Sequence, residues 1–148
     1  MVERKRIGVL TSGGDCAGLN ALLRAVVLRA ADYGWQVFGI EQGTLGLMES
    51  PPRAQLLETS TFDGSILRRG GTILGTTNTG DPFAFPQLDG DPIDRSEEVI
   101  AGYNALGLDA LIGIGGDGSL AILNRLAKQG GINFVGVPKT IDNDIGVT

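Results

Sequence analysis

Three times in this chain a short apolar run breaks at a glycine or proline and hands over to a polar loop, and twice that loop opens into a helical repeat. Arg6-Ile7-Gly8-Val9-Leu10-Thr11 leads into Ser12-Gly13-Gly14-Asp15, after which Leu19, Leu22, Leu23, Val26, Val27 and Ala30 recur at helical spacing until Gly34 stops them. Ala110-Leu111-Ile112-Gly113-Ile114 leads into Gly115-Gly116-Asp117-Gly118 and a helix over Ser119 to Gln129, closed by Gly130-Gly131. Asn133 to Val137 is the third run, ended by Pro138. Strands that alternate with helices of this length need crossover connections, which predicts an α/β fold: a three-layer, mostly parallel sheet with helices on both faces. In such a sheet ligands sit beyond the carboxyl ends of the strands, so the three loops should meet on one edge.

The intervening chain is read more coarsely. Trp35 to Ile40 is a further strand, and 39–46 reads as loop. The stretch Glu49 to Ser60, with Pro51-Pro52, gives no element; Ser65 to Arg69 suggests one or two helical turns, and Thr72 to Thr79 fits either strand or loop. Asp81 to Asp94 is turn-rich, with Asp89-Gly90 as a turn signal, and Ser96 is placed to cap a helix running to Gly107. Asp89, Asp91 and Asp94 suggest calcium, but their spacing fails the EF-hand pattern and Pro92 interrupts it.

Composition removes several chemistries. The 148 residues contain no histidine and one cysteine, Cys16, which excludes a Ser-His-Asp triad, a histidine-ligated zinc site and a disulfide framework within this segment. Glycine accounts for 24 residues, well above the usual share of about 7%. The net charge of -5 is uneven, with +1 over residues 1–80 and -6 over 81–148, so no basic stripe for nucleic acid is expected. No apolar run approaches the roughly 18 residues that span a membrane. The basic start, Met1 to Arg6, is followed only by Ile7 to Leu10, too short for a signal peptide. A cytoplasmic location is expected.

The glycine loops are the candidate sites. Gly113 to Gly118 matches G-x-G-x-x-G, yet the next strand ends Val137-Pro138-Lys139 without the acidic residue that a nicotinamide ribose requires. Gly13 and Gly18 have Walker A spacing, but Leu19-Asn20 stands where Lys-Ser/Thr is needed. What remains is two glycine turns at helix N-termini that expose amides to an anion, or that serve helix–sheet packing alone. Asp117 inside such a turn makes sense if magnesium bridges it to phosphates. Thr140-Ile141-Asp142-Asn143-Asp144 supplies a hydroxyl and two carboxylates on the third loop, projecting together if that loop is extended; such a run is also a common Asx-turn.

Thr11-Ser12-Gly13-Gly14-Asp15, Gly70-Gly71-Thr72-Ile73-Leu74-Gly75, Gly115-Gly116-Asp117-Gly118-Ser119 and Pro138-Lys139-Thr140-Ile141-Asp142-Asn143-Asp144, in this order, resemble the N-terminal part of the 6-phosphofructokinases. Gly-Gly-Asp-Gly alone is shared with NAD kinases and diacylglycerol kinases; the last block is the specific one. The resemblance implies a phosphofructokinase-like N-terminal domain and ATP-dependent phosphorylation of fructose 6-phosphate to fructose 1,6-bisphosphate. It implies Asp142 as base, with Thr140 and Asp144 positioning the reacting groups and Ile141 beside the sugar. It further implies Gly14, Asn78, Gly116, Asp117, Gly118 and Ser119 around the nucleotide, and Asp117 on Mg2+.

Gly118 and Lys139 bear on the donor: pyrophosphate-using relatives resemble the chain at Lys139 but carry an acidic residue where it has Gly118. ATP is the expected donor, with a pyrophosphate-dependent or dual-donor enzyme, or a catalytically silent nucleotide-binding module, as alternatives. The sequence departs from the bacterial pattern at Asn78, where an arginine is usual, at Glu41, where a tyrosine flanks adenine, and at Leu28, the second of two effector arginines of which Arg24 is the first. The resemblance implies a homodimer or homotetramer. Residues 1–148 are expected to be a nucleotide-binding N-terminal domain cut from a longer chain, inactive alone, with the rest of the sugar-phosphate domain outside this sequence.

Overall fold

The computed structural model describes residues 4–146; Met1 to Glu3 of the basic start, and Val147 and Thr148, lie outside the described residues. Five strands form one sheet: β1 (Arg6–Ser12), β2 (Gln36–Ile40), β3 (Ala54–Leu57), β4 (Ala110–Gly115) and β5 (Phe134–Pro138), in the order β3-β2-β1-β4-β5. The β1–β2, β1–β4 and β4–β5 pairs are parallel, as expected, and only the edge pair β2–β3 is antiparallel. Helix α1 (Leu19–Asp32) covers one face, while α2 (Leu45–Met48), α3 (Ser96–Ala105) and α4 (Asp117–Gly130) pack on the other.

The alternation of a strand assigns the two cores. Val9 turns toward α1, where it meets Leu23, Val27, Ile114 and Leu74, and Leu10 turns toward Val99, Leu123 and Leu126. Both are fully buried, and each such side chain contributes roughly 1.5–3 kcal/mol by leaving water. Along α1 the buried Leu19, Leu23, Val27 and Ala30 form the stripe predicted from their spacing. Gly34 ends it in the left-handed region, φ 69°, its amide donating to the Ala31 carbonyl. Where α3 crosses α2, Gly102 lets the backbones meet, since a Cβ there would collide with the carbonyl of Leu47.

Two expectations are corrected. The stretch that gave no element contains β3, and the helix over 96–105 is not capped by Ser96. Its first amide, that of Ser96, donates to Asp94 Oδ1 at 2.9 Å, while the Ser96 hydroxyl accepts from Gln129 Nε2 at 3.1 Å. The Thr72 to Thr79 stretch is loop, not strand, and 81–94 remains a turn-rich surface segment pinned by a single Phe85–Ile93 bridge.

Candidate functional site

Because β1, β4 and β5 are adjacent and parallel, the loops that follow them emerge on one edge. They touch. The Ser12 hydroxyl at the end of β1 donates to the Ser119 hydroxyl in the first turn of α4 at 3.2 Å. The Lys139 amide donates to the Gly115 carbonyl at 3.0 Å, which fixes the third loop to the second. Gly13 adopts φ 84°, a conformation that a side chain disfavours. A Cβ on Gly14 would stand 3.4 Å from the Lys139 ammonium nitrogen and 2.8 Å from Ile141 Cδ1. The lysine therefore leans over the first glycine turn, bringing a cation to a place lined by backbone.

Two adjoining hollows result. A narrow pocket of about 130 Å³ is walled by Ser12, Gly13, Thr77, Asn78 and Ser119. A wider cleft of about 450 Å³ is lined by Gly116, Asp117, Lys139, Thr140, Asp142 and Asp144. Of the residues singled out in the sequence, Gly14 lies beside Lys139 and Ile141, Asn78 is in the narrow pocket and Gly118 has open space around it, whereas Leu74 of the Gly70–Gly75 block is buried in the core. A larger cavity of about 520 Å³ lies between α1 and β4–β5, away from these groups and almost wholly apolar.

The third loop is bent rather than extended. Asn143 sits at φ 54°, and the Thr140 hydroxyl closes the turn by donating to Asp144 Oδ1 at 2.5 Å. The expectation that an extended backbone would project the two aspartates together is therefore replaced by a turn that delivers both to the same cleft. Asp142 is exposed there. This leaves one carboxylate committed to the loop and the other open to a ligand.

Asp117 begins α4, and its Oδ1 accepts from the Gly118 amide at 2.8 Å. Among the described residues no three metal-binding side chains converge. A single exposed carboxylate beside a glycine turn suits magnesium that arrives on phosphates, since this ion keeps most of its waters and takes one or two protein carboxylates. Of the positions that depart from the bacterial pattern, Glu41 pairs with Arg53 at 3.5 Å and Arg24 donates from Nε to the Phe62 carbonyl at 3.0 Å. Arg24 is thus tied to backbone, whereas Arg29 lies on the surface beside Asp32 and Tyr33.

Two residues to which the sequence assigned no role of their own gain one here. Thr11 and Asn20, on either side of the first glycine turn, are buried and bond to the segment 69–75. A polar residue between Leu19 and Leu23 on the apolar stripe of α1 was the signal for Asn20.

The fold and the site define a doubly wound α/β protein with two glycine turns and an acidic loop side by side at one sheet edge. The phosphofructokinase family model matches residues 6–148, and the chain belongs to that family. It is 67% identical over its whole length to an ATP-dependent 6-phosphofructokinase 1 of Nostoc sp., and 65% identical to one of Synechocystis sp.. In each case it spans 41% of the relative, so the chain covers about two fifths of the curated proteins it matches. The phosphofructokinase of Pichia pastoris in the T-state superposes with a TM-score of 0.80 at 29% identity, over 99% of this chain and 16% of that one. No helix of the described residues is long and apolar enough to cross a membrane.

Proposed function

We propose that this chain is the nucleotide-binding N-terminal part of an enzyme that transfers the γ-phosphoryl group of ATP to the 1-hydroxyl of fructose 6-phosphate. The observation that carries the reading is the meeting of Gly14, Lys139 and the Thr140–Asp144 loop at one sheet edge, with Asp117 across the same cleft. The names of the Nostoc and Synechocystis relatives support the donor and the reaction class.

In this reading the phosphates lie along the amides of the Gly13–Gly14 and Gly116–Gly118 turns, with Ser119 and Asn78 at the side. Asp117 would hold magnesium, which when bound neutralises phosphate charge. Asp142 orients the sugar hydroxyl and takes its proton as the new oxygen–phosphorus bond forms and the bond to the ADP oxygen breaks. Thr140 and Asp144 hold the loop that presents Asp142, and Ile141 packs beside Gly14. Phosphoryl transfer passes through a loose transition state, so positioning and charge neutralisation supply most of the acceleration. The phosphosugar is held by parts of the enzyme beyond this chain, including a second copy in a homodimer or homotetramer working in the cytoplasm.

Lys139 favours one second reading: its ammonium reaches the first turn, where it suits pyrophosphate as well as a nucleotide. Gly118 leaves the second turn open, which favours ATP, because an added cation excludes nothing whereas an acidic side chain there would repel a nucleotide phosphate. The full-length protein, assayed with fructose 6-phosphate and either ATP or pyrophosphate, should form fructose 1,6-bisphosphate with ATP. Turnover with pyrophosphate alone, or phosphorylation of NAD in place of the sugar, would overturn the assignment.

A further inference from the structure

The wall of the narrow pocket is formed by Thr77 and Asn78, which belong to a segment without regular secondary structure. No strand of the sheet pairs with that segment, and Leu74 is its only deeply buried apolar side chain. Its position is instead set by polar groups that flank the first glycine turn. Thr11, 1% exposed, donates from its hydroxyl to the Gly75 carbonyl at 2.8 Å and lies 2.9 Å from the Thr72 hydroxyl. Asn20, 3% exposed, donates from Nδ2 to the carbonyls of Arg69 at 2.9 Å and Gly71 at 2.6 Å, and its Oδ1 accepts from the Ile73 amide at 2.9 Å.

Three further contacts run directly to the turn. Asp15 Oδ1 accepts from the Thr72 amide at 3.1 Å, the Gly13 amide donates to the Thr77 carbonyl at 3.0 Å, and the Thr76 hydroxyl donates back to the Gly13 carbonyl at 2.5 Å. The turn and the wall facing it are therefore held to each other from both ends. Neither can shift without breaking the hydrogen bonds of the buried Thr11 and Asn20 side chains, which are costly to leave unmade.

We infer that Thr11 and Asn20 are positioning residues that fix the spacing between the Gly13 turn and the Thr77–Asn78 wall, and so tune how the phosphoryl donor is held. The inference rests on the reading of this pocket as the donor site. Neither side chain touches the donor; each acts through segment 69–77. A displacement of the order of 1 Å at such a wall costs up to about 100-fold in rate, so the loss of one anchor should register in the donor parameters before it abolishes folding.

The test uses the full-length enzyme. Thr11→Val removes the hydroxyl at nearly constant shape, and Thr11→Ser keeps it. The ATP KM is expected to rise about tenfold in Thr11→Val, with the fructose 6-phosphate KM within about twofold of the parent, and to return most of the way in Thr11→Ser. Thr72→Val, at a half-buried position, removes the partner hydroxyl and serves as the second arm, with a rise in ATP KM in the same direction. Val99→Ala, on α3 in the separate core on the other face of the sheet, is the control that lowers the melting temperature without moving the ATP KM. Folded Thr11→Val and Thr72→Val proteins with an unmoved ATP KM, or a Thr11→Ser protein as impaired as Thr11→Val, would overturn the positioning role alone. A parent enzyme that turns over no ATP would overturn this role and the reading of the site together.

Discussion

The hydroxyl of Ser12 donates to the hydroxyl of Ser119 across 3.2 Å, joining the end of β1 to the first turn of α4. The contact is so close because Gly115 lies beside it without a side chain. A Cβ on Gly115 would stand 2.8 Å from Ser119 Cβ and 3.1 Å from the Ser12 carbonyl oxygen, and the backbone oxygen cannot swing aside. Gly115→Ala is expected to force the two glycine turns apart, at a cost of about 1–3 kcal/mol typical of overpacking. A lower midpoint in denaturant, together with weakened ATP binding, is the expected result; a variant indistinguishable from the parent in both would refute the clamp.

Gly118 gives the opposite case. A Cβ there meets nothing within 4 Å, so the protein itself has room for a larger residue. Gly118→Asp should fold with an unchanged melting temperature yet lose at least about tenfold in kcat/KM for ATP, which corresponds to about 1.4 kcal/mol. Steady-state kinetics beside a thermal melt separate the two effects. Full ATP activity in Gly118→Asp would show that the open side of this turn is not where nucleotide phosphates lie.

The strand–turn–helix units could be read from the sequence because their periodicity and their glycine stops agree. Val9 and Leu10 point to opposite cores because successive strand side chains must, and Gly34 ends α1 because only glycine takes φ 69° freely. β3 was not legible: four residues, Ala54 to Leu57, follow two prolines and carry no alternation strong enough to stand out. The helix cap moved from Ser96 to Asp94 because both are capping residues two positions apart, and the Ser96 hydroxyl is occupied by Gln129 from another helix. The loops that meet at the cleft were legible as candidates, since those after β1, β4 and β5 each begin directly at the end of a strand; Asn78, in an irregular segment that follows no strand, carried no such signal. The anchors Thr11 and Asn20 were not legible, because their partners lie 49 to 64 residues away in a segment with no periodicity of its own.

Asp142 offers the direct test of chemistry. It is exposed in the wide cleft, so Asp142→Asn should leave the fold intact. Removal of a general base costs about 10²–10⁴-fold, and this loss should appear in kcat with fructose 6-phosphate and ATP while nucleotide binding measured separately is retained. If Asp142→Asn keeps the kcat of the parent, the proton goes elsewhere and the role assigned to the loop fails.

Asp94 carries the acid-stability prediction. The Ser96 hydroxyl and then the Ser96 amide hold its carboxyl below the usual carboxylate value, outweighing a small opposing effect of burial. A group whose pKa is lower in the folded than in the unfolded protein stabilises the fold above its unfolded value, and that contribution is lost as the pH falls through the folded value. Asp94→Ala should therefore lower the melting temperature at neutral pH, and the gap to the parent should close as the pH drops through and below the carboxylate range. Melting curves of both proteins across that range test the cap: a gap that stays constant into strong acid would mean that the charge of Asp94 contributes nothing to holding the start of α3.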